Sequence, residues 1–217
     1  MKIEIGTRRP EHLQAHWEGQ FEAFSHFEFA CGIPSVLHAI TTLKENGKPN
    51  VNFNFSGSFT GDGDGYFAVI PIQRRSHTYE NCLRTGEFVV NFTGKTYFDA
   101  CMSTIDHNGD ETDELAAGGF HREQAKTVNC PRIAEAFLSL ECKLERELDL
   151  SGSGRAALLI GRVQHIAVQE DYAKGLDGKY GDDGFMLNLH SPKNLLTGEG
   201  QSSAVAVCKV VRVNEEA

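Results

Sequence analysis

The sequence predicts a mainly β protein, an antiparallel, Greek-key-like barrel with a few short peripheral helices. Three observations carry this expectation. Several stretches alternate apolar and polar residues with period two, as strands with one buried face do. Short turns rich in Gly, Asn, Asp or Ser separate them, as in hairpin-linked sheets. The helical stretches are few and inserted among the strands, which suits a decorated barrel.

Residues 1–30 are mixed and polar, with aromatics at Trp17, Phe21, Phe24, Phe27 and Phe29. They read as an extension that packs on the body or on a partner subunit, and 31–217 read as the barrel domain. Pro34–Leu43 is apolar and rich in β formers, and it ends at Asn46-Gly47, a hairpin turn. Asn50–Thr60 alternates, with Val51, Phe53 and Phe55 on one face and Asn52, Asn54 and Ser56 on the other, so one strand is expected. Gly61–Gly65 is a turn and Tyr66–Ile72 the next strand. Ser76–Thr85 is a short helix, with Ser76 or His77 at the cap and Gly86 where a helix stops. Glu87–Thr93 is a strand, and Tyr97–Ile105 and Asp110–Ala117 are short helices outside the barrel. Pro131 opens a further helical turn. Residues 137–150 form a long strand, Ser151–Gly154 a hairpin loop, and Ala156–Val168 the partner strand. The stretch 172–203 is Gly-rich and loop-like, and Ala204–Val213 is the last strand.

The chain has 217 residues, 40% hydrophobic and 24% charged, which suits one globular domain. A net charge of −9 argues against nucleic acid or an anionic membrane surface as partner. There is no signal peptide and no membrane-length apolar run, so a cytoplasmic location is expected. Six scattered cysteines without a C-x-x-C spacing read as free thiols rather than a zinc or redox pair. No H-E-x-x-H zinc-protease motif occurs, and neither G-x-S-x-G nor G-x-G-x-x-G occurs. Asp62 and Asp64 begin like a calcium loop, but position twelve is Gln73 rather than a bidentate Glu.

Two features remain for chemistry. In Arg74-Arg75-Ser76-His77-Thr78-Tyr79-Glu80-Asn81, two guanidiniums precede hydroxyl and amide side chains at a helix start. Unpaired first-turn N–H groups and the partial positive charge there suit a phosphate dianion. An ordinary capped helix with surface arginines is the alternative. The second feature is the polar edge Asn52, Asn54, Ser56 and Ser58, which lines a groove or faces solvent.

In order and spacing, Pro34–Thr42 (PSVLHAITT), Gly47-Lys48-Pro49-Asn50, Ser76–Asn81, Thr85–Asn91, Pro131-Arg132-Ile133 and Leu140-Glu141-Cys142 resemble the flavin reductase-like family of FMN-binding split barrels, which includes flavoredoxins and ferric reductases. The resemblance covers roughly 30–170 and implies a split barrel, a homodimer, and FMN at or near the dimer interface. It implies that Arg75, Ser76, His77 and Thr78 hold the phosphate while Asn81 braces the turn. It implies that Asn52, Asn54, Phe55 and Ser56 run beside the ribityl chain and ring, with Thr41, Thr42 and Asn91 near the ring. At Gly61–Gly65 the chain departs from the Pro-Pro segment of many relatives. With no Rossmann domain, an NAD(P)H donor would dock transiently on the flavin. The readings left open are an NAD(P)H-dependent flavin or ferric reductase, a flavin electron carrier fed by a redox partner protein, and a non-catalytic FMN-binding module.

Overall fold

The computed structural model describes residues 2–175, 177–190, 194–200 and 204–211. The chain runs α1 (Gln20–Ala23), α2 (His26–Cys31), β1 (Ser35–Val36), β2 (His38–Leu43), β3 (Pro49–Asn54), β4 (Ser58–Asp62), β5 (Gly65–Gln73), α3 (His77–Thr85) and β6 (Glu87–Phe92). It continues with α4 (Phe98–Asp106), α5 (Glu114–Ala117), β7 (Arg122–Glu123), β8 (Arg132–Ile133), β9 (Leu138–Asp149), β10 (Ala156–Val168), α6 (Glu170–Lys174), β11 (Met186–Leu189) and β12 (Ala204–Val207). The chain divides into two compact units, one of Met1–Ser35 with Leu187–Ala206 and one of Val36–Met186 with Val207–Ala217.

In the larger unit seven strands pair in the order β3-β2-β6-β9-β10-β5-β4, and its pairings are antiparallel. β3 and β4 therefore lie at opposite edges, yet only Phe55, Ser56 and Gly57 separate them in sequence. Seven flat strands would hold their outer edges about 29 Å apart. Four residue steps reach at most about 14 Å. The sheet must curl until its edges approach, and Asn54 Nδ2 accordingly donates to Pro71 O of β5 at 3.3 Å. This is the split barrel expected from the sequence.

The barrel interior is apolar. Ile40, Ile70, Phe88, Val90, Leu140 and Leu159 are among its buried residues. Gly161 of β10 makes room for the Phe88 ring, which a Cβ there would overlap. A second cluster around Ala39, Val51, Cys101, Leu115, Phe120 and Ile133 lies where β3 packs on α4 and α5. Cys82, Cys101, Cys130 and Cys142 are buried free thiols, and burial raises each above a free cysteine.

In the smaller unit Ser25 and Glu28 form a capping box at the start of α2. The aromatics noted in the sequence pack there on one another, Trp17 on Phe24 at 6.2 Å and Phe21 on Phe29 at 5.6 Å, both edge to face.

Several expected elements differ. Pro34–Leu43 breaks at Leu37 into β1 and β2. Asn50–Thr60 is two strands rather than one, because the Asn54 carboxamide accepts the Ser56 amide at 2.7 Å and turns the chain out of the ladder. Pro131 opens no helical turn: Arg132–Ile133 pairs with Arg122–Glu123 as a short ribbon. Proline is tolerated ahead of a strand, and its own carbonyl accepts Thr41 Oγ1 at 2.5 Å. α5 is shorter than expected, since Asp113 caps it by accepting Ala116 N at 3.0 Å. Within 172–203 the loop expectation misses part of α6, a 3-10 turn at Asp177–Tyr180 and β11. Of Ala204–Val213, β12 covers Ala204–Val207, and residues 212 and 213 lie outside the described residues.

Candidate functional site

β5 runs directly into α3, so the helix start is built onto the barrel wall. Ser76 is its N-cap, its Oγ accepting Tyr79 N at 3.2 Å and donating to Gln73 O at 2.8 Å. Gly86, at φ 68°, closes the helix in the left-handed region. The amides of His77 and Thr78 occupy the turn where a helix has no acceptor of its own. The two arginines diverge. Arg74 pairs with Glu147, lies 3.8 Å from Asp149 and stacks over Tyr79 at 5.5 Å. Arg75 is exposed and makes no ion pair among the described residues. The helix start therefore offers one disengaged guanidinium and two first-turn amides, a donor set suited to a phosphate monoester.

The polar strand runs along this segment. Asn50 Nδ2 donates to Thr78 Oγ1 at 2.9 Å, and Asn54 Nδ2 reaches Pro71 O. β3 and residues 71–78 thus lie side by side, which brings together the two features that the sequence suggested separately. Asn52 sits between these anchor points, half-buried, its carboxamide without a hydrogen bond among the described residues. Phe55 and Ser56 follow on the connection to β4, both half-buried.

The other sequence candidates are bound up in buried networks. Thr42 Oγ1 accepts both Asn50 Nδ2 at 3.1 Å and Asn81 Nδ2 at 3.0 Å. These bonds tie α3 to β2 and β3, so Asn81 braces the helix from inside. Asn91 donates to Ala39 O and Thr41 Oγ1, both at 3.2 Å, and accepts Ile133 N at 3.1 Å and Ser139 Oγ at 2.9 Å. Thr41 and Asn91 are fully enclosed and pin β8 to the barrel. His77 turns toward carboxylates, its Nε2 at 2.9 Å from Asp110 and its Nδ1 at 3.9 Å from Glu114.

Two buried charge clusters escaped the sequence reading. Lys44 Nζ lies 2.7 Å from Glu114 Oε1 and donates to Gly109 O at 2.6 Å and Thr112 O at 2.9 Å, while Glu114 Oε2 accepts Val51 N at 2.9 Å. Glu141 accepts Lys126 N at 3.0 Å, Thr127 N at 2.6 Å and Thr127 Oγ1 at 2.6 Å, with Arg132 at 3.7 Å. Burial alone would raise the Glu141 carboxyl, but these bonds and the nearby guanidinium outweigh it and leave the group below a free glutamate. The paired motifs Pro131-Arg132-Ile133 and Leu140-Glu141-Cys142 meet at this contact. Neither cluster had a local signal, because the partners are far apart in sequence.

Beyond the helix start lies a groove of about 560 Å³. α3 lines it with His77, Glu80, Asn81 and Arg84, and the hairpin tip and the 110–111 loop complete it.

A curled antiparallel sheet with a phosphate-suited helix start beside a polar strand defines a split-barrel, flavin-type binding protein. The comparisons agree. The model of the flavin reductase like domain matches residues 32–185, and the chain belongs to that family. A curated relative, the uncharacterized protein YwrF of Bacillus subtilis, is 31% identical over 139 residues, 60% of this chain and 67% of that protein. Across the first curated relatives the match spans 49% to 67% of their length. Among solved structures, nitrilotriacetate monooxygenase component B from Bacillus cereus has a TM-score of 0.68 at 19% identity, covering 97% of this chain and 100% of that one. Flavoredoxin of Desulfovibrio vulgaris (Miyazaki F) has a TM-score of 0.68 at 16% identity, covering 85% and 92%. At these identities the two structures show the shared fold. Among the described residues no helix is long and apolar enough to cross a membrane. Membership of this family supports a flavin-related oxidoreductase or flavin-binding role.

Proposed function

We propose that the protein holds FMN non-covalently and passes electrons through it as an NAD(P)H-dependent flavin or ferric reductase. The observation that carries this is the start of α3, where Arg75 and the amides of His77 and Thr78 face no acidic partner of their own while Ser76 caps the helix. Bound there, FMN would supply hydride acceptance and one-electron transfer, chemistry that asks for no general acid or base from the protein.

The chain's own residues do the rest. The helix start binds the phosphate, and Arg75 adds a charge-assisted contact. Thr78 accepts from Asn50, which fixes the distance between the phosphate end and the polar strand. Asn52, Asn54, Phe55 and Ser56 line the path of the ribityl chain and ring. Thr41, Thr42, Asn81 and Asn91 brace that wall from behind rather than touch the cofactor. The flavin would sit near the interface of a homodimer in the cytoplasm.

Likeness to flavoredoxin over 85% of the chain supports a second reading, a flavin electron carrier served by a redox partner protein. Rapid mixing with NADH and NADPH separates the two. Bleaching of bound flavin much faster than for free FMN supports the reductase, and bleaching at the free rate supports the carrier. Both readings share the phosphate site. Arg75→Ala should weaken FMN binding by about 1.5–3 kcal/mol, roughly 10- to 150-fold, in a fluorescence titration. Unchanged affinity would place the phosphate elsewhere.

A further inference from the structure

Resting on the FMN reading, we propose that the groove beyond α3 makes the site selective for a flavin monophosphate over the dinucleotide, with Glu45 and Glu80 as specificity-determining residues. In FAD the flavin phosphate is joined through an anhydride bond to a second phosphate, which with its adenosine must continue past the helix start. Space exists for it: the groove is about 560 Å³ and shares His77 and Asn81 with the helix. Its charge is wrong. Glu45, Glu80, Asp110 and Glu111 line it, against Lys44 and Arg84; Glu111 is paired with Lys48 at 3.0 Å, which leaves Glu45 and Glu80 as the carboxylates without an ion pair among the described residues.

Both cations are already engaged. Lys44 is paired with Glu114 at 2.7 Å and donates to two carbonyls. Arg84 donates to Leu43 O and to Asn81 Oδ1, the latter at 3.1 Å. His77 is held by Asp110 at 2.9 Å. A second phosphate entering the groove would therefore meet the unpaired carboxylates of Glu45 and Glu80, with Arg84, bonded only to neutral acceptors, as the exposed cation on the lining. A terminal phosphate monoester stays at the helix start, where Arg75 and the first-turn amides complement it, and does not enter the groove. Glu45 sits exposed at the β2–β3 hairpin tip, and Glu80 exposed on the first turn of α3. Both can be changed without opening the core.

The test is a fluorescence titration of the flavin-free protein with FMN, FAD and riboflavin. The expected result is FMN at least about tenfold tighter than FAD, since several like charges at ~0.2–1 kcal/mol each accumulate. Glu45→Lys should tighten FAD about five- to tenfold and leave FMN within twofold, and Glu80→Gln should shift the ratio the same way by less. Equal affinity of the unaltered protein for FMN and FAD would overturn the selectivity while leaving the FMN reading intact. So would Glu45→Lys leaving the ratio where it stood, with its fold verified by circular dichroism. Binding FMN no better than riboflavin would instead remove the phosphate site, and this inference with it.

Discussion

Lys44 and Glu114 are 7% and 1% exposed at their side chains, so their 2.7 Å contact is a buried ion pair. Lys44→Met removes the cation and leaves an enclosed carboxylate that accepts the Val51 amide, with His77 Nδ1 3.9 Å away. Breaking one side of such a pair costs about 3–5 kcal/mol, because the remaining charge keeps its desolvation penalty without its attraction. Glu114→Gln leaves the ammonium with two carbonyls, Gly109 O and Thr112 O, and falls toward the lower end of that range. The double variant Lys44→Met/Glu114→Gln has no buried charge, and its carboxamide oxygen still accepts Val51 N–H. It should be destabilised by only about 1–2 kcal/mol, the scale of the lost hydrogen bonds. The two single costs together exceed that of the double by about 4–7 kcal/mol, which is the coupling between the sites. Urea denaturation read by circular dichroism measures all four proteins. For a chain of this size each kcal/mol moves Tm by about 2–4 °C, so either single change should lower it by about 6–20 °C. A double variant less stable than both singles would refute the charge-pair account and leave packing as the reason these residues matter.

Three further outcomes follow from the barrel. His38 is fully buried between Phe59 and Phe92, its Nδ1 donates to Val36 O at 3.0 Å, and burial holds its pKa at about 4 against 6.5 for a free histidine. Between those values the unfolded chain binds more protons, so stability is full above 6.5 and falls by ~3 kcal/mol as pH drops to 4. His38→Phe should flatten that part of a stability-versus-pH curve, and an unchanged slope would contradict the assignment. Glu141 works at lower pH: its folded carboxyl lies below the 4.5 of a free glutamate, so its stabilisation is present above 4.5 and lost as pH falls through the folded value. Glu141→Gln should be less stable than the parent at neutral pH, with the gap closing under acid conditions in the same denaturation assay. Gly161→Ala places a methyl on the Phe88 ring and should cost about 1–3 kcal/mol in urea melts, whereas Gly63→Ala, in the exposed β4–β5 turn where an added methyl meets nothing within 4 Å, leaves the Phe88 packing untouched.

Much of the barrel was legible because its signals are local. Period-two alternation located β9, the Ser151–Gly154 hairpin loop pointed to β10 as its partner, and Ser76 and Gly86 bracketed α3. The misses share one cause, tertiary contacts overriding local pattern. Val51–Ser58 alternates without a break, yet the chain must leave one sheet edge and join the other, and the Asn54 turn accomplishes that. Pro131 reads as a helix start, but Asn91 and Thr41 capture the backbone on either side of Arg132 and hold it extended. β11 is four residues long and lies in a Gly-rich stretch, with too few positions for alternation to register.

The site was half-legible for the same reason. The helix start announces itself through a run of residue types, and the polar strand through its asparagines. What joins them is invisible locally: Asn50 to Thr78 spans 28 residues and Asn81 to Thr42 spans 39. These contacts also explain why asparagine, a poor strand former, is tolerated on β3. Asn50 and Asn54 are buried, and each supplies a donor that fastens β3 to the segment entering or forming α3. Asn52, between them, has no such partner among the described residues and keeps its carboxamide available. On this strand the bonded asparagines set the geometry, and the unbonded carboxamide of Asn52 suits the flavin-side role proposed for it. Asn52→Ala should therefore weaken flavin binding with little change in stability, while Asn50→Ala should lower stability first, because it removes the donor that positions Thr78.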